Sequence, residues 1–239
     1  MISRTLATAA AAAGLAHVAP SAAFLTPLRT RFLPGLAGLG DPDHVALTFD
    51  DGPHPRSTPL FLRALDDLGV RATFFVLGRE LDRAPGLGRE IVAAGHEIAL
   101  HGWDHRCLLR RGPLAVHEEF ARAIDLIERT TGTRPCWVRA PYGVFSASSL
   151  VSAKLLGVTP VLWSCWGFDW TARATPATVF RTVHRGLRGG GTVLLHDSDV
   201  EAVPGSWKSA LGALPLLAAA CRERGLRLGP LAEHRTVKR

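Results

Sequence analysis

With 239 residues, 47% of them hydrophobic, the chain is long enough to bury a substantial core as one large domain, and its composition excludes a disordered or collagen-like protein. Its formal charge of +7 is carried almost entirely by arginine, Lys154, Lys208 and Lys238 being the only lysines. The arginines are scattered and no aromatic-basic array accompanies them. This scatter argues for an ordinary solvated surface and against a nucleic-acid partner, and leaves weak association with a membrane or an anionic cell wall as the alternative use of the charge.

Residues 1–40 read differently from the rest. A basic start at Arg4, an alanine-rich run to Phe24 and small residues at Ser21, Ala22 and Ala23 match an export signal with its cleavage site. That reading gives an extracytoplasmic protein, secreted or membrane-anchored. His17 and Pro20 interrupt the run, which is too short for a clear membrane span. An uncleaved surface anchor and an N-terminal helix of the fold are the alternatives. Residues 29–40, with Pro34, Gly35, Gly38 and Gly40, read as a loosely packed lead-in. The expected division is thus 1–40 and 41–239.

The second part opens on HVALTFDDGP at 44–53. Val45, Leu47 and Phe49 alternate with Ala46 and Thr48, a buried-strand pattern that ends at Asp50-Asp51 and a Gly-Pro turn. Helix-like and strand-like segments then alternate. Ser57 is a candidate N-cap for a helix with Leu60, Phe61, Ala64, Leu65 and Leu68 on one face, stopped by Gly69. Strands are expected over 71–78, 97–100, 136–139, 158–165, 192–195 and 226–228. Helices are expected over 87–95, 113–131, 148–156, 175–187 and 207–224, with Thr175 capping the fourth of these. This alternation predicts an α/β fold, a distorted (β/α) barrel of about seven parallel strands or an open doubly wound sheet.

Cys107, Cys136, Cys165 and Cys221 are widely spaced and form no CxxC pair, which excludes a dithiol redox site or a zinc ribbon. Cys136 and Cys165 lie in apolar strand-like runs and are expected to be buried free thiols.

In either architecture the chemistry gathers at the carboxyl ends of the strands. There the chain places Asp50-Asp51, His101 with His105, Arg139 with Tyr142, Asp169-Trp170 and His196-Asp197. Two adjacent carboxylates disfavour joint ionisation unless cations offset them. His101 and His105, with Asp51 as the candidate carboxylate, make a three-ligand set that leaves open positions, as a hydrolytic metal requires. Zinc is the default, with Co2+ or Mn2+ as alternatives. Arg139 would offset Asp50. Asp197 is expected to cap the loop after its strand, and His54 to be an exposed turn residue.

TFDDGP at 48–53, HGWDH at 101–105, RAPYG at 139–143, FDW at 168–170 and LLHD at 194–197 occur in an order that resembles the polysaccharide deacetylases of carbohydrate esterase family 4. The resemblance implies a distorted barrel and hydrolysis of N-acetyl groups on amino sugars of a chitin-like or peptidoglycan substrate. O-acetyl esterase activity on xylan and non-catalytic carbohydrate binding are the alternatives, and an acetylated glycan is the partner of a monomeric protein. It further implies that Asp51, His101 and His105 hold the metal, that Asp50 is the general base paired with Arg139, and that the Tyr142 N–H helps hold the oxyanion. His196 would be the general acid supported by Asp169, with Trp170 and Leu194 walling the acetyl pocket. Gly102 stands where the family usually has Ser or Thr, and Trp166 where many members carry an Asp. The first departure leads us to expect altered metal affinity rather than its loss, with backbone contacts or Trp103 steadying the loop.

Overall fold

The computed structural model describes residues 11, 12, 14–23 and 28–234. Much of the expected export segment lies outside them. Among the described residues no helix is long and apolar enough to cross a membrane.

The β-α alternation folds into one curled parallel sheet. Its strands are β1 (His44–Asp50), β2 (Thr73–Val76), β3 (Glu97–Leu100), β4 (Trp137–Val138), β5 (Thr159–Pro160), β6 (Cys165–Trp166), β7 (Thr192–His196) and β8 (Arg227–Gly229). The order is β5-β4-β3-β2-β1-β7-β6, with β8 beside the start of β1. β1 is central and buried at all seven positions, as expected of a parallel strand covered on both faces. Phe49 packs on Phe61 and Phe74 with ring centroids 5.1 Å apart in each case. The distorted barrel holds, and β5 and β6 do not pair with each other.

That gap corrects the single strand expected over 158–165. The Thr159 and Val161 N–H groups bond to β4, Pro160 between them offers no donor on the outer side, and the chain then crosses to β7, where the Ser164 N–H makes the first bond ahead of β6. The lead-in helps cover the seam between them. Leu162 donates to the Leu36 carbonyl at 2.7 Å, and Thr192 Oγ1 donates to the Gly38 carbonyl at 2.6 Å. Ala37 is fully buried, and Gly38 has φ +66° with no room for a Cβ beside Thr192. Residues 34–40 are therefore tightly packed rather than loose.

Helices flank the sheet: α1 (Leu28–Phe32), α2 (Thr58–Leu68), α3 (Gly78–Arg83), α4 (Pro85–Ala93), α5 (Pro113–Thr131), α6 (Ala147–Leu156), α7 (Pro176–Gly186) and α8 (Trp207–Glu223). Sequence reading missed α3, a six-residue helix that Pro85 separates from α4. α5 buries Val116, Phe120, Ala123, Ile124 and Ile127 at helical spacing and stops at Gly132 in the left-handed region. Thr175 caps α7 as expected, accepting from the Thr178 N–H. Ser57 does not cap α2 with its side chain. It sits with Oγ 3.1 Å from His54 Nδ1, which leaves His54 half-buried rather than exposed.

The four cysteines are free. Cys165 is buried as expected, but Cys136 is exposed, because β4 begins one residue later and leaves its side chain outside the sheet. Away from the strand ends, His44 of β1 meets His234, their Nδ1 atoms 2.9 Å apart. His234 Nε2 lies 3.0 and 3.1 Å from the Gly38 and Gly190 carbonyls. Nε2 therefore carries the proton, and His234 Nδ1 accepts from His44 Nδ1–H.

Candidate active site

The carboxyl ends of β1, β3, β4, β6 and β7 deliver the expected residues to one rim. β1 ends at Asp50, and Asp51 follows with φ +75°. Alternation along an extended strand would point the two carboxylates to opposite sides. The left-handed turn at Asp51 instead brings both to the same centre. Oδ2 of Asp50 lies 3.7 Å, and Oδ1 of Asp51 3.3 Å, from His101 Nε2. Positive φ recurs at His105 (56°), Tyr142 (59°) and Phe168 (53°) around the same rim, where the surrounding packing must hold an unfavourable backbone.

Asp51, His101 and His105 are buried and offer ligand atoms within 4.8 Å of one another. Asp51 Oδ1 is 3.3 Å from Nε2 of each histidine and has no hydrogen-bond partner, an orphaned buried acceptor that a cation would satisfy. His101 Nδ1–H donates to the Arg139 carbonyl at 2.9 Å, so its Nε2 presents a lone pair to the cluster. His105 Nδ1 faces Glu201 Oε2 at 3.8 Å. Burial pushes the Asp51 carboxyl up, but His101, His196 and His105 outweigh it and hold the group below the usual carboxylate range. Two imidazoles and a carboxylate with open positions fit a divalent metal of the zinc type.

Arg139 and Asp50 form the second part of the site. Arg139 is fully buried, and its Nη1 donates to Asp50 Oδ1 at 2.7 Å and to Thr48 Oγ1 at 2.8 Å. Its Nη2 donates to the Leu162 carbonyl at 2.9 Å, and the guanidinium lies 4.0 Å from the Phe75 ring centre. Burial lowers its pKa, and Asp50 opposes that shift.

His196 ends β7. Its Nδ1 is 3.1 Å from Asp169 Oδ1, its backbone N–H donates to Asp169 Oδ2 at 2.7 Å, and its Nε2 lies 4.0 Å from Asp51 Oδ2. Burial would lower the imidazole pKa. Asp169, Asp51 and Asp50 outweigh it and lift the group to about 10. Trp170 stands edge-on to His196 at 5.4 Å. The Tyr142 side chain is 55% exposed, with its ring 4.5 Å from that of His105. Trp170, Leu194, Tyr142, Trp163 and Trp166 line a cavity of about 360 Å³ that reaches Asp51, His105 and His196.

The structure gathers every residue expected at the site and adds three carboxylates that sequence reading missed or placed differently. Glu119 of α5 accepts from the Trp103 N–H at 2.9 Å and sits 3.0 Å from where a Cβ on Gly102 would be. It stands against the side of Gly102 where a side chain would begin, while Arg122 stacks over Trp103 at 3.4 Å. Glu201 faces His105 from the loop that follows β7, past the strand end itself. Asp197 does not cap its own loop. It is buried against Gly52 and accepts from Thr58 Oγ1, tying β7 to the start of α2, and burial pushes its carboxyl up to about 7. Trp166 packs among Trp163, Phe168 and Trp170.

Comparison with known proteins agrees with this geometry. The polysaccharide deacetylase family model matches residues 38–161. A chitooligosaccharide deacetylase of Bradyrhizobium sp. (strain ANU 289) is 37% identical over 199 residues, covering 79% of this chain and 89% of that protein. The Listeria monocytogenes peptidoglycan-N-acetylglucosamine deacetylase PgdA is 35% identical over 153 residues, which is 64% of this chain and 32% of PgdA. The crystal structure of the Bc1960 peptidoglycan N-acetylglucosamine deacetylase superposes with a TM-score of 0.80 at 27% identity, covering 89% of this chain and 99% of that one. The chain belongs to the polysaccharide deacetylase family.

Proposed function

We propose that the protein is a metal-dependent hydrolase that removes the N-acetyl group from an amino sugar of a glycan, acting outside the cytoplasm. The carrying observation is the juxtaposition on one rim of the Asp51–His101–His105 cluster, the buried Arg139–Asp50 pair and the Asp169–His196 pair. Relatives named as chitooligosaccharide and peptidoglycan deacetylases support the reaction class, and the peptidoglycan-acting relative supports the location.

Amide hydrolysis needs an activated water, a stabilised oxyanion and a proton for a poor leaving group. Asp51, His101 and His105 would hold the metal, zinc on the donor set. A metal there supplies Lewis acidity to water and to the acyl oxygen. Asp50 takes the proton of the attacking water, and Arg139 offsets the charge of that carboxylate and aims it. The Tyr142 backbone N–H donates to the oxyanion. His196, held in one tautomer by Asp169, gives its proton to the departing nitrogen. Trp170 and Leu194 exclude water from the acetyl methyl.

Acetate release from chitooligosaccharides, peptidoglycan fragments and acetylxylan, with and without added zinc, tests this. The reading requires zinc-dependent release from N-acetylated substrates. Release confined to acetylxylan would make the protein an O-acetyl esterase. Zinc binding without release from any of the three would make it a carbohydrate-binding protein.

A further inference from the structure

The metal cluster opens in two directions that differ in chemistry. One is the tryptophan-lined cavity described above. The other, on the far side of His105 and Tyr142, is a cleft of about 610 Å³. Arg79, Arg106, Arg110 and Arg111 line it, against Asp104 and Glu201.

Three of the four arginines come from one short stretch of chain. Arg106 follows the His101–His105 loop directly, and Arg110 and Arg111 close the 3-10 turn Leu108–Arg110. Leu108 is fully buried, so the turn is anchored in the core and its arginines stand on a fixed base. Arg79 comes from the start of α3, which is joined to the same loop by bonds from Gly78 and Arg79 N–H to the Gly102 and Trp103 carbonyls.

The pairing of these arginines is uneven. Arg79 is committed to Glu80 at 2.7 Å and Glu201 at 3.0 Å. Arg111 contacts Glu119 at 3.4 Å. Arg106 pairs with Asp104 through Nε alone, at 3.0 Å. Arg110 is exposed and forms no ion pair among the described residues. The cleft thus presents one unpaired guanidinium and the outer edge of another beside the reacting centre. Planar forked donors in a concave site suit a carboxylate or a phosphate, and the walls focus their field on it.

We propose that this cleft binds an anionic substituent, a carboxylate or a phosphate, carried by the glycan next to the sugar that is deacetylated. The preferred substrate is therefore an acidic glycan rather than a neutral one. The inference rests on the deacetylase reading for the position of the reacting sugar. The cleft and the tryptophan cavity share His105, Tyr142 and Glu201, so one chain of sugars can occupy both.

The test compares three glycans of equal length: N-acetylglucosamine oligomers, the same chain with a lactyl-ether carboxylate on alternate sugars, and the same chain phosphorylated on one sugar. KM and kcat for acetate release are measured for the zinc-loaded wild type and for Arg110→Gln and Arg110→Glu. Calorimetric binding of each glycan to the same proteins reads the cleft whether or not turnover occurs. The proposal expects one acidic glycan to bind about 5- to 10-fold more tightly than the neutral chain, through charge-assisted hydrogen bonds. That advantage shrinks with added salt, is largely lost in Arg110→Gln and reverses in Arg110→Glu, while the neutral chain is unaffected. Whichever acidic glycan responds identifies the group as carboxylate or phosphate. Equal binding of neutral and acidic chains, or an Arg110→Gln effect that is the same on both, would overturn the proposal. Absence of acetate release with the binding pattern intact would overturn the deacetylase reading instead.

Discussion

Arg139 and Asp50 form an ion pair inside the barrel, Nη1 to Oδ1 at 2.7 Å, with the arginine fully buried and its remaining bonds made to Thr48 and Leu162. A charge buried this deeply is tolerated only while its partners remain. Arg139→Gln leaves Asp50 facing the other carboxylate without compensation. We expect stability to fall by about 3–5 kcal/mol. kcat should fall by at least about 10²-fold, because the carboxylate loses the bond that aims it at the water. Urea denaturation and acetate release check both. A variant with wild-type stability and wild-type kcat would contradict the role given to the pair.

Asp169 acts through His196, to which it is joined at two points. An amine leaving group needs the proton that His196 carries, whereas an alkoxide needs it less. Asp169→Asn should lower kcat by about 10²–10⁴ on an N-acetyl sugar, and by less on an O-acetyl ester of the same length. An equal loss on both substrates would show that Asp169 serves the fold rather than the acid.

Gly102 and Glu119 compete for one space. Gly102 has φ +86°, and a Cβ there would stand 3.0 Å from Glu119 Oε1. Restoring the family's hydroxyl with Gly102→Ser should therefore destabilise the protein by about 1–2 kcal/mol, because the left-handed backbone is unfavourable to a side chain. The companion change Glu119→Gln should keep the Trp103 bond and the fold. A melting temperature for Gly102→Ser at or above the wild type would contradict this account of the loop.

Stability should fall in mild acid for a reason outside the site. Burial lowers His44 and His96 from the ordinary 6.5 to about 4. Arg71 adds to the shift at His96, and His234 and Arg227 add to it at His44. His96 Nδ1 accepts from the Ala72 N–H, a bond that needs the neutral ring. Between pH 6.5 and about 4 the unfolded chain binds these protons and the folded one does not. Their contribution to stability is thus full above pH 6.5 and declines through this window, by about 3 kcal/mol for each histidine, against an opposite gain from Asp197, whose raised carboxyl takes a proton in the folded chain over the same range. Urea midpoints from pH 7 to 4 for the wild type and His44→Gln isolate the histidine contribution, the variant losing less stability toward pH 4. A pH dependence unchanged in His44→Gln would contradict the assignment.

Much of this molecule is legible in the chain. The β-α alternation and the polar residues that end five strands lead to the barrel and to its rim, because hydrophobic periodicity and turn residues are local signals. What escapes is long-range or conformational. Nothing in the neighbourhood of Leu36 says that its carbonyl will take the Leu162 N–H. Glu119, 14 residues beyond His105 on α5, and Glu201, in a loop beyond β7, reach the site with no motif of their own. The left-handed backbone at Asp51 is also invisible, since aspartate in that region is uncommon and carries no pattern. Yet it is this turn, rather than strand alternation, that lets Asp50 and Asp51 share one centre.

The central claim is that the two adjacent aspartates do different work. Zinc content after dialysis and acetate release, measured side by side for the wild type, Asp50→Asn and Asp51→Ala, test it most directly. The account predicts that Asp50→Asn keeps its zinc and loses kcat by at least about 10²-fold, whereas Asp51→Ala loses zinc and activity together. Zinc lost from Asp50→Asn, or activity retained in it, would contradict the division of labour.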